Sequence, residues 1–237
     1  MERVSSTPVR SYGGVSATDR KLERRKRLTD AALDVMAADE WRSATVEQIC
    51  SSAGLNKRYF YQAFADLDEL ASAVVDDIAD EVRDATLAAF AEVADQPLER
   101  QALASVDALV RVLVRDPRRA RVLLGGVAAT PSLRRHREEV LSGLTAVLTR
   151  EARAVHGVEL ERDPLAQIAP AFVVGGTAEA ILAYLEGSAR ITLDQLVTEL
   201  TTLWLVTGNG AAEVARARLR RRTGSEAGEV RGQHGSP

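Results

Sequence analysis

Apolar residues along this chain recur at intervals of three and four, the period that gives a helix one apolar face, and nowhere alternate strictly as a half-buried strand requires. Over residues 19–38 the stripe is Leu28, Ala31, Ala32, Val35 and Met36, and the outer face opens with Arg20, Lys21, Arg24, Arg25, Lys26 and Arg27. A second helix is predicted from Thr45. Gln48 stands three residues on, so the pair can form a capping box: the hydroxyl accepts an early backbone N–H and the amide reaches back. Val46, Ile49 and Ala53 then face inward. Gly54 follows, the residue type best able to take a left-handed turn. Asn56 can cap a short third helix with Phe60 and Phe64 on its apolar side.

Longer helices follow. Asp66 with Glu69 makes a second capping box and opens a helix to about residue 94. Pro97, Pro117, Pro131 and Pro164 suit the first turn of a helix, where the N–H that proline lacks has no partner anyway. They open predicted helices over 97–115, 117–128, 131–155 and 164–185. Gly187 closes the last of these; Thr192 caps a final helix to about residue 206, which Gly208-Asn209-Gly210 ends. The expected fold class is all-α. A three-helix N-terminal domain covers 19–65 and a helical bundle covers 66–209, with a disordered arm over 1–18 and a mostly disordered basic tail over 210–237. Both ends read as dispensable for folding, because neither carries an apolar stripe that needs burial.

A hydrophobic share of 46% is ordinary for a globular protein. No apolar run is read as approaching the roughly 18–20 residues of a membrane span. The first 18 residues lack the apolar stretch of a signal peptide. The single Cys50 excludes an internal disulfide. The expectation is a cytoplasmic protein with no membrane partner. The net charge of −3 is unevenly spread: 11 Lys and Arg against 8 Asp and Glu in residues 1–65, 14 against 23 in 66–209, and 6 against 3 in 210–237. A basic N-terminal segment beside an acidic body points to nucleic acid at that end.

The chemistry concentrates between Thr45 and Leu70. Two short helices joined by a glycine turn make a helix-turn-helix, whose second helix enters the major groove. Lys57 and Arg58 stand at the start of that helix, where base edges are met, and Arg can bond guanine through two atoms. Tyr59 and Tyr61 add hydroxyls beside aromatic surface. Thr45 and Asn56 lie at helix N-termini, and the Thr45 terminus attracts phosphate through its backbone N–H groups and dipole.

Trp41, Thr45-Val46, Ile49, Ala53-Gly54-Leu55, Tyr61-x-x-Phe64 and Glu69-Leu70 together resemble the pattern of the TetR family of one-component regulators. The resemblance is clearest over 22–70 and extends to about 207 through helix number and length. It implies an all-α homodimer with an N-terminal DNA-binding domain, and a C-terminal bundle whose last two large helices form a four-helix dimer interface. Here those helices are 165–185 and 192–206, with Ile181, Leu182, Leu185, Leu193, Leu196, Leu200, Leu203 and Trp204 as interface residues. Gly175-Gly176 would allow close helix approach. Several positions depart from the family pattern. Glu40 stands where glycine usually ends the first helix, and Cys50, read as a small buried residue, where alanine is common. Leu67 stands where a lysine often reaches phosphate, so that contact is not carried over. Lys57-Arg58-Tyr59 is bulkier than the residues common there, so the base preference is not borrowed.

The family's effector pockets lie inside the bundle. Phe90, Leu109, Leu113 and Phe172 are expected as apolar walls, with Asp107, Arg111 and His136 as polar handles. The resulting expectation is a dimeric repressor on a pseudo-palindromic double-stranded DNA operator, released by a small, largely apolar ligand. The alternative is a helical dimerisation or adaptor protein without DNA binding; Leu67 favours it, while Lys57, Arg58 and Tyr61 oppose it. Three histidines and one cysteine show no metal-ligand spacing. No phosphate loop, dinucleotide fingerprint or nucleophile elbow is present in the sequence. No catalysis, metal or cofactor is expected.

Overall fold

Nearly every helix begins where a side chain takes up backbone N–H groups that a helix start leaves unpaired. The computed structural model describes residues 16–125, 130–157, 160 and 162–233, and every regular element among them is helical. In α1 (Ala17–Ala37) the Ser16 hydroxyl accepts the Asp19 N–H while the Asp19 carboxylate accepts the Ser16 N–H, which starts the helix two residues earlier than expected. At the end of α1 the chain turns through Asp39 at φ 59°, and the Glu40 N–H bonds the Val35 carbonyl. Aspartate tolerates the left-handed region better than most residues, so the turn forms without the family's glycine. A single 3-10 turn, Trp41–Ser43, then buries Trp41.

The capping box of Thr45 and Gln48 opens α2 (Val46–Ala53), Gly54 turns the chain at φ 61°, and Asn56 caps α3 (Lys57–Ala63). Asp66 caps α4 (Leu67–Glu92) through the Glu69 N–H, and Glu69 reaches back to Ala65 rather than to Asp66. Leu67, at the departing position, is half-buried against the core. The prolines mark helix starts as expected: α5 (Leu98–Arg115), α6 (Pro117–Leu123), α7 (Pro131–His156) and α8 (Pro164–Leu185). Asp116, Thr130 and Asp163 cap the last three. The helix expected over 117–128 ends at Leu123, short of the predicted end, while residues 126–128 and most of the 1–18 arm lie outside the described residues.

Two expectations fail here. The last helix, α9 (Leu193–Gln233), does not stop at residue 206 but runs through Gly208-Asn209-Gly210 into the segment expected to be disordered. Each glycine costs a helix roughly 1 kcal/mol relative to alanine. Beyond them Ala211, Ala212 and Ala215 are buried, the last two packing against Leu160 and Ala166 in a small second core, and that burial carries the helix onward. The other failure concerns α8. Its 22 residues include one charge, Glu179, and by length and composition it could cross a membrane.

The main hydrophobic core is continuous across the chain. It runs from Leu28 and Met36 of α1 through Ile49, Phe60 and Leu70 to Val106, Leu113, Leu123, Ile181 and Leu200. Full burial of each such large side chain contributes roughly 1.5–3 kcal/mol. Helix α6 joins the two parts: it packs on α1, α4, α5 and α8. Its Arg118 donates to Asp34 of α1 at 2.6 Å and to Asp116, and its Arg119 pairs with Glu81 of α4.

Candidate nucleic-acid interface and effector cavity

Buried residues fix the orientation of α3 from below. Phe60 and Phe64 are buried with ring centroids 6.0 Å apart, on a layer of Ile49, Cys50, Ala53 and Leu70. The opposite face of α3 stays in solvent: Lys57, Arg58 and Tyr61 are exposed, Tyr61 with its ring edge against Phe60 at 5.3 Å. Tyr59 is half-buried because the Arg24 guanidinium lies over its ring at 4.4 Å. Arg25 lies over Phe64 in the same way at 4.6 Å. Arg27 donates to the Gly54 carbonyl, and its guanidinium sits where a Cβ at that position would be, 2.6 Å away. Part of the basic face of α1 therefore braces the helix-turn-helix, a role that charge counting does not separate from a free basic surface.

The two cations at the start of α3 differ. Lys57 Nζ lies 2.9 Å from Glu47 Oε2 on α2. The Glu47 carboxylate is held below, and the Lys57 ammonium above, its ordinary range by that hydrogen bond and charge pairing. Arg58 makes no ion pair or hydrogen bond among the described residues. Sequence patterning missed Glu47, since the pair joins two helices ten residues apart across the turn and follows no helical spacing. Exposed Thr45 uses its hydroxyl to accept the Gln48 N–H, and Glu47 places a carboxylate in the same first turn. Cys50 is buried, and burial pushes its thiol up.

Between α4, α5, α6, α7, α8 and α9 the bundle holds a partly open cavity of about 230 Å³. Phe90, Leu109 and Leu113 line it, together with Val82, Leu123 and Trp204 among others. The remaining four expected pocket residues do not. Asp107 and Arg111 form a pair at 2.7 Å that extends to Asp194 on the surface. His136 bonds Asp76 at 2.8 Å, tying α7 to α4. Phe172 is 69% exposed on the outside of α8. Each was chosen by type rather than by helix face, and α8, apolar on all sides, has no periodicity from which a face could be chosen.

The expected dimer residues also divide. Ile181, Leu196 and Leu200 are buried within the chain's own core, and Leu182, Leu185 and Leu193 are half-buried. Trp204 donates to the Thr177 hydroxyl at 2.7 Å and faces the cavity. Only Leu203 of that set stands fully outside, at 58% exposure. The large apolar residues exposed on α8 and α9 are instead Ile168, Phe172, Leu203, Val206 and Val214, with Ile191 exposed in the connection between them. Among the described residues, nothing beyond α8's own nearby backbone and the adjoining residues lies within 4 Å of where a side chain at Gly175 or Gly176 would begin.

A helix-turn-helix at one end of an all-α bundle is the fold this chain shares with solved TetR-family transcriptional regulators. Solved structures make the likeness specific. The fatty acid degradation regulator FadR of Bacillus halodurans matches with a TM-score of 0.61 at 18% identity, covering 77% of this chain and 94% of its own. A TetR-family transcription regulator of Marinobacter aquaeolei matches with a TM-score of 0.59 at 18% identity, over 80% and 97%. The transcriptional regulator FadR of Bacillus subtilis, solved with stearoyl-CoA, matches with a TM-score of 0.60 at 16% identity, over 77% and 98%. No family model and no curated protein matches the sequence.

Proposed function

We propose that this chain is a cytoplasmic TetR-family regulator that binds a pseudo-palindromic operator as a homodimer, represses from it, and is released by a small apolar ligand in the bundle cavity. The observation that carries the proposal is α3: a short helix locked from below by Phe60 and Phe64, with Arg58, Lys57 and Tyr61 projecting from its free face. That is the geometry by which a recognition helix enters a major groove. Arg58 is the base-reading residue in this proposal, Tyr61 a phosphate contact, and Thr45, Asn56 and Tyr59 hold the flanking backbone.

The dimer is proposed to form on the exposed apolar faces of α8 and α9, centred on Phe172 and Leu203 rather than on the buried leucines. The support is that α8 has only one charged residue yet leaves Ile168, Phe172 and the Gly175-Gly176 step uncovered. Contiguous exposed apolar surface of this kind marks interaction sites, and small residues let a partner helix approach closely.

Selection from a randomised DNA pool, followed by gel shift and sedimentation, tests the proposal. A two-fold symmetric consensus bound by two chains is expected. Recovery of no enriched sequence, with a stable dimer in solution, would favour the dimerisation-module alternative.

A further inference from the structure

The cavity wall has an electrostatic property that narrows its ligand. Of the residues that line it, only Arg83 is charged. Its guanidinium is committed elsewhere: it donates to Asp80 at 2.6 Å and to Asp84 through two nitrogens at 3.0 and 3.1 Å, at a partly exposed rim. Among the described residues the cavity therefore offers no free cation, and two carboxylates stand at the Arg83 edge. An anion placed inside would lose its hydration and meet no unpaired cation among the described residues, only neutral donors, which do not offset the loss of charge solvation.

The wall's remaining polar side chains are the Asn209 amide, at an exposed position, the Trp204 indole and three hydroxyls. Thr86 donates to its own helix at the Val82 carbonyl. Thr177 accepts from the Trp204 indole and donates to no described group. Ser105 is 7% exposed, lines the cavity, and has no hydrogen-bond partner among the described residues. Two O–H donors thus face an apolar space without an acceptor. Dry apolar cavities of about 150 Å³ accommodate a benzene-sized molecule, so one of about 230 Å³ takes something modestly larger.

Building on the effector proposal above, we infer that the ligand is an uncharged, largely apolar molecule carrying one hydrogen-bond acceptor, a carbonyl or hydroxyl oxygen, bonded by Ser105 with Thr177 beside it. Neither a carboxylate nor the phosphorylated head of an acyl thioester enters this cavity.

The test uses the full chain and three matched probe series: methyl ketones of six to twelve carbons, the corresponding alkanoates, and their coenzyme A thioesters. Binding at pH 8 is followed by calorimetry and by Trp204 emission. At least one ketone is expected to bind roughly tenfold or more tightly than its alkanoate. The alkanoate should gain affinity as pH falls toward the carboxyl range near ~4–5, where it becomes neutral. Ser105→Ala should weaken the ketone roughly three- to tenfold while leaving toluene, which has no oxygen, unchanged. Leu109→Trp, which fills the space, should abolish both. Alkanoates or thioesters binding as tightly as ketones would overturn the inference, as would no ketone binding or an unchanged ketone affinity in Ser105→Ala. These results bear only on ligand class: a ketone that binds without loosening DNA upholds the class and refutes the effector role.

Discussion

Arg58 and Lys57 are neighbours on the first turn of α3, yet they meet solvent in different states. Among the described residues Arg58 has no ion-pair partner, while Lys57 pairs with Glu47 at 2.9 Å. If Arg58 reads a guanine, Arg58→Ala should weaken operator binding by roughly 1–3 kcal/mol and relax preference at a single base pair. Gel shifts on a panel of mutated sites measure this, and unchanged affinity and selectivity would remove Arg58 from the reading role. Glu47 should act in the opposite sense. A phosphate must compete with its carboxylate for Lys57, so Glu47→Gln should tighten binding to random DNA more than to the operator. The salt dependence should steepen by about one counterion per protomer. A salt titration on random duplex checks the slope. The exposed face of α3 was legible in the sequence because caps and turn glycine place it by local chemistry. The Lys57–Glu47 pair was not, since nothing local signals a contact across the turn.

Among the elements, α6 is the smallest of the bundle yet packs on four others, α1 among them. It supplies Leu123 and Leu124 to the cavity wall and Arg118 to Asp34 of α1. If the proposed ligand presses on those leucines, the Arg118–Asp34 contact links it to α1, so Arg118→Ala should leave the separate ligand and DNA affinities nearly intact while shrinking their mutual effect. DNA titrations with and without bound ligand measure that coupling, which is reciprocal by linkage. The same helix sets an acid response. Hydrogen bonding from Arg118 holds the Asp116 carboxyl below its ordinary 3.8. A lowered carboxyl contributes its stabilisation fully at neutral pH and loses it as pH falls through the lowered value. The difference in Tm between wild type and Asp116→Asn should stay constant from neutral pH down to about 5 and shrink below about 4. Asparagine still caps the helix, which isolates the charge. Helix starts were legible because each is written in one or two residues. The continuation of α9 was not, because its support, Leu160 and Ala166, lies about 50 residues upstream.

Across the whole molecule, the proposed dimer rests on the exposed apolar faces of α8 and α9. Phe172→Glu together with Leu203→Glu should convert a dimer into a soluble monomer of unchanged helicity, measured by sedimentation and circular dichroism. Unaltered dimerisation would move the interface off α8 and α9. Ending the chain after residue 210 should lower Tm, against the sequence expectation that this tail is dispensable. Such a truncation uncovers Leu160 and removes Arg218, which donates to buried Asp163 at 3.3 Å. A chain ending after residue 221 keeps both contacts and should retain the Tm. The sequence marked α8 as apolar but not which side faces its own chain, because a helix apolar all round carries no phase.

Cys50 gives the protein an internal clock. It is the only thiol in the chain and it is sealed beneath the helix-turn-helix, 3% exposed. A disulfide reagent in solution can reach it only when α2 or α3 transiently lifts away. The trapping rate in excess reagent therefore counts spontaneous local openings under native conditions, with no label added. Bound DNA should slow that clock, and because the reaction consumes the one cysteine present, the record of each opening is permanent.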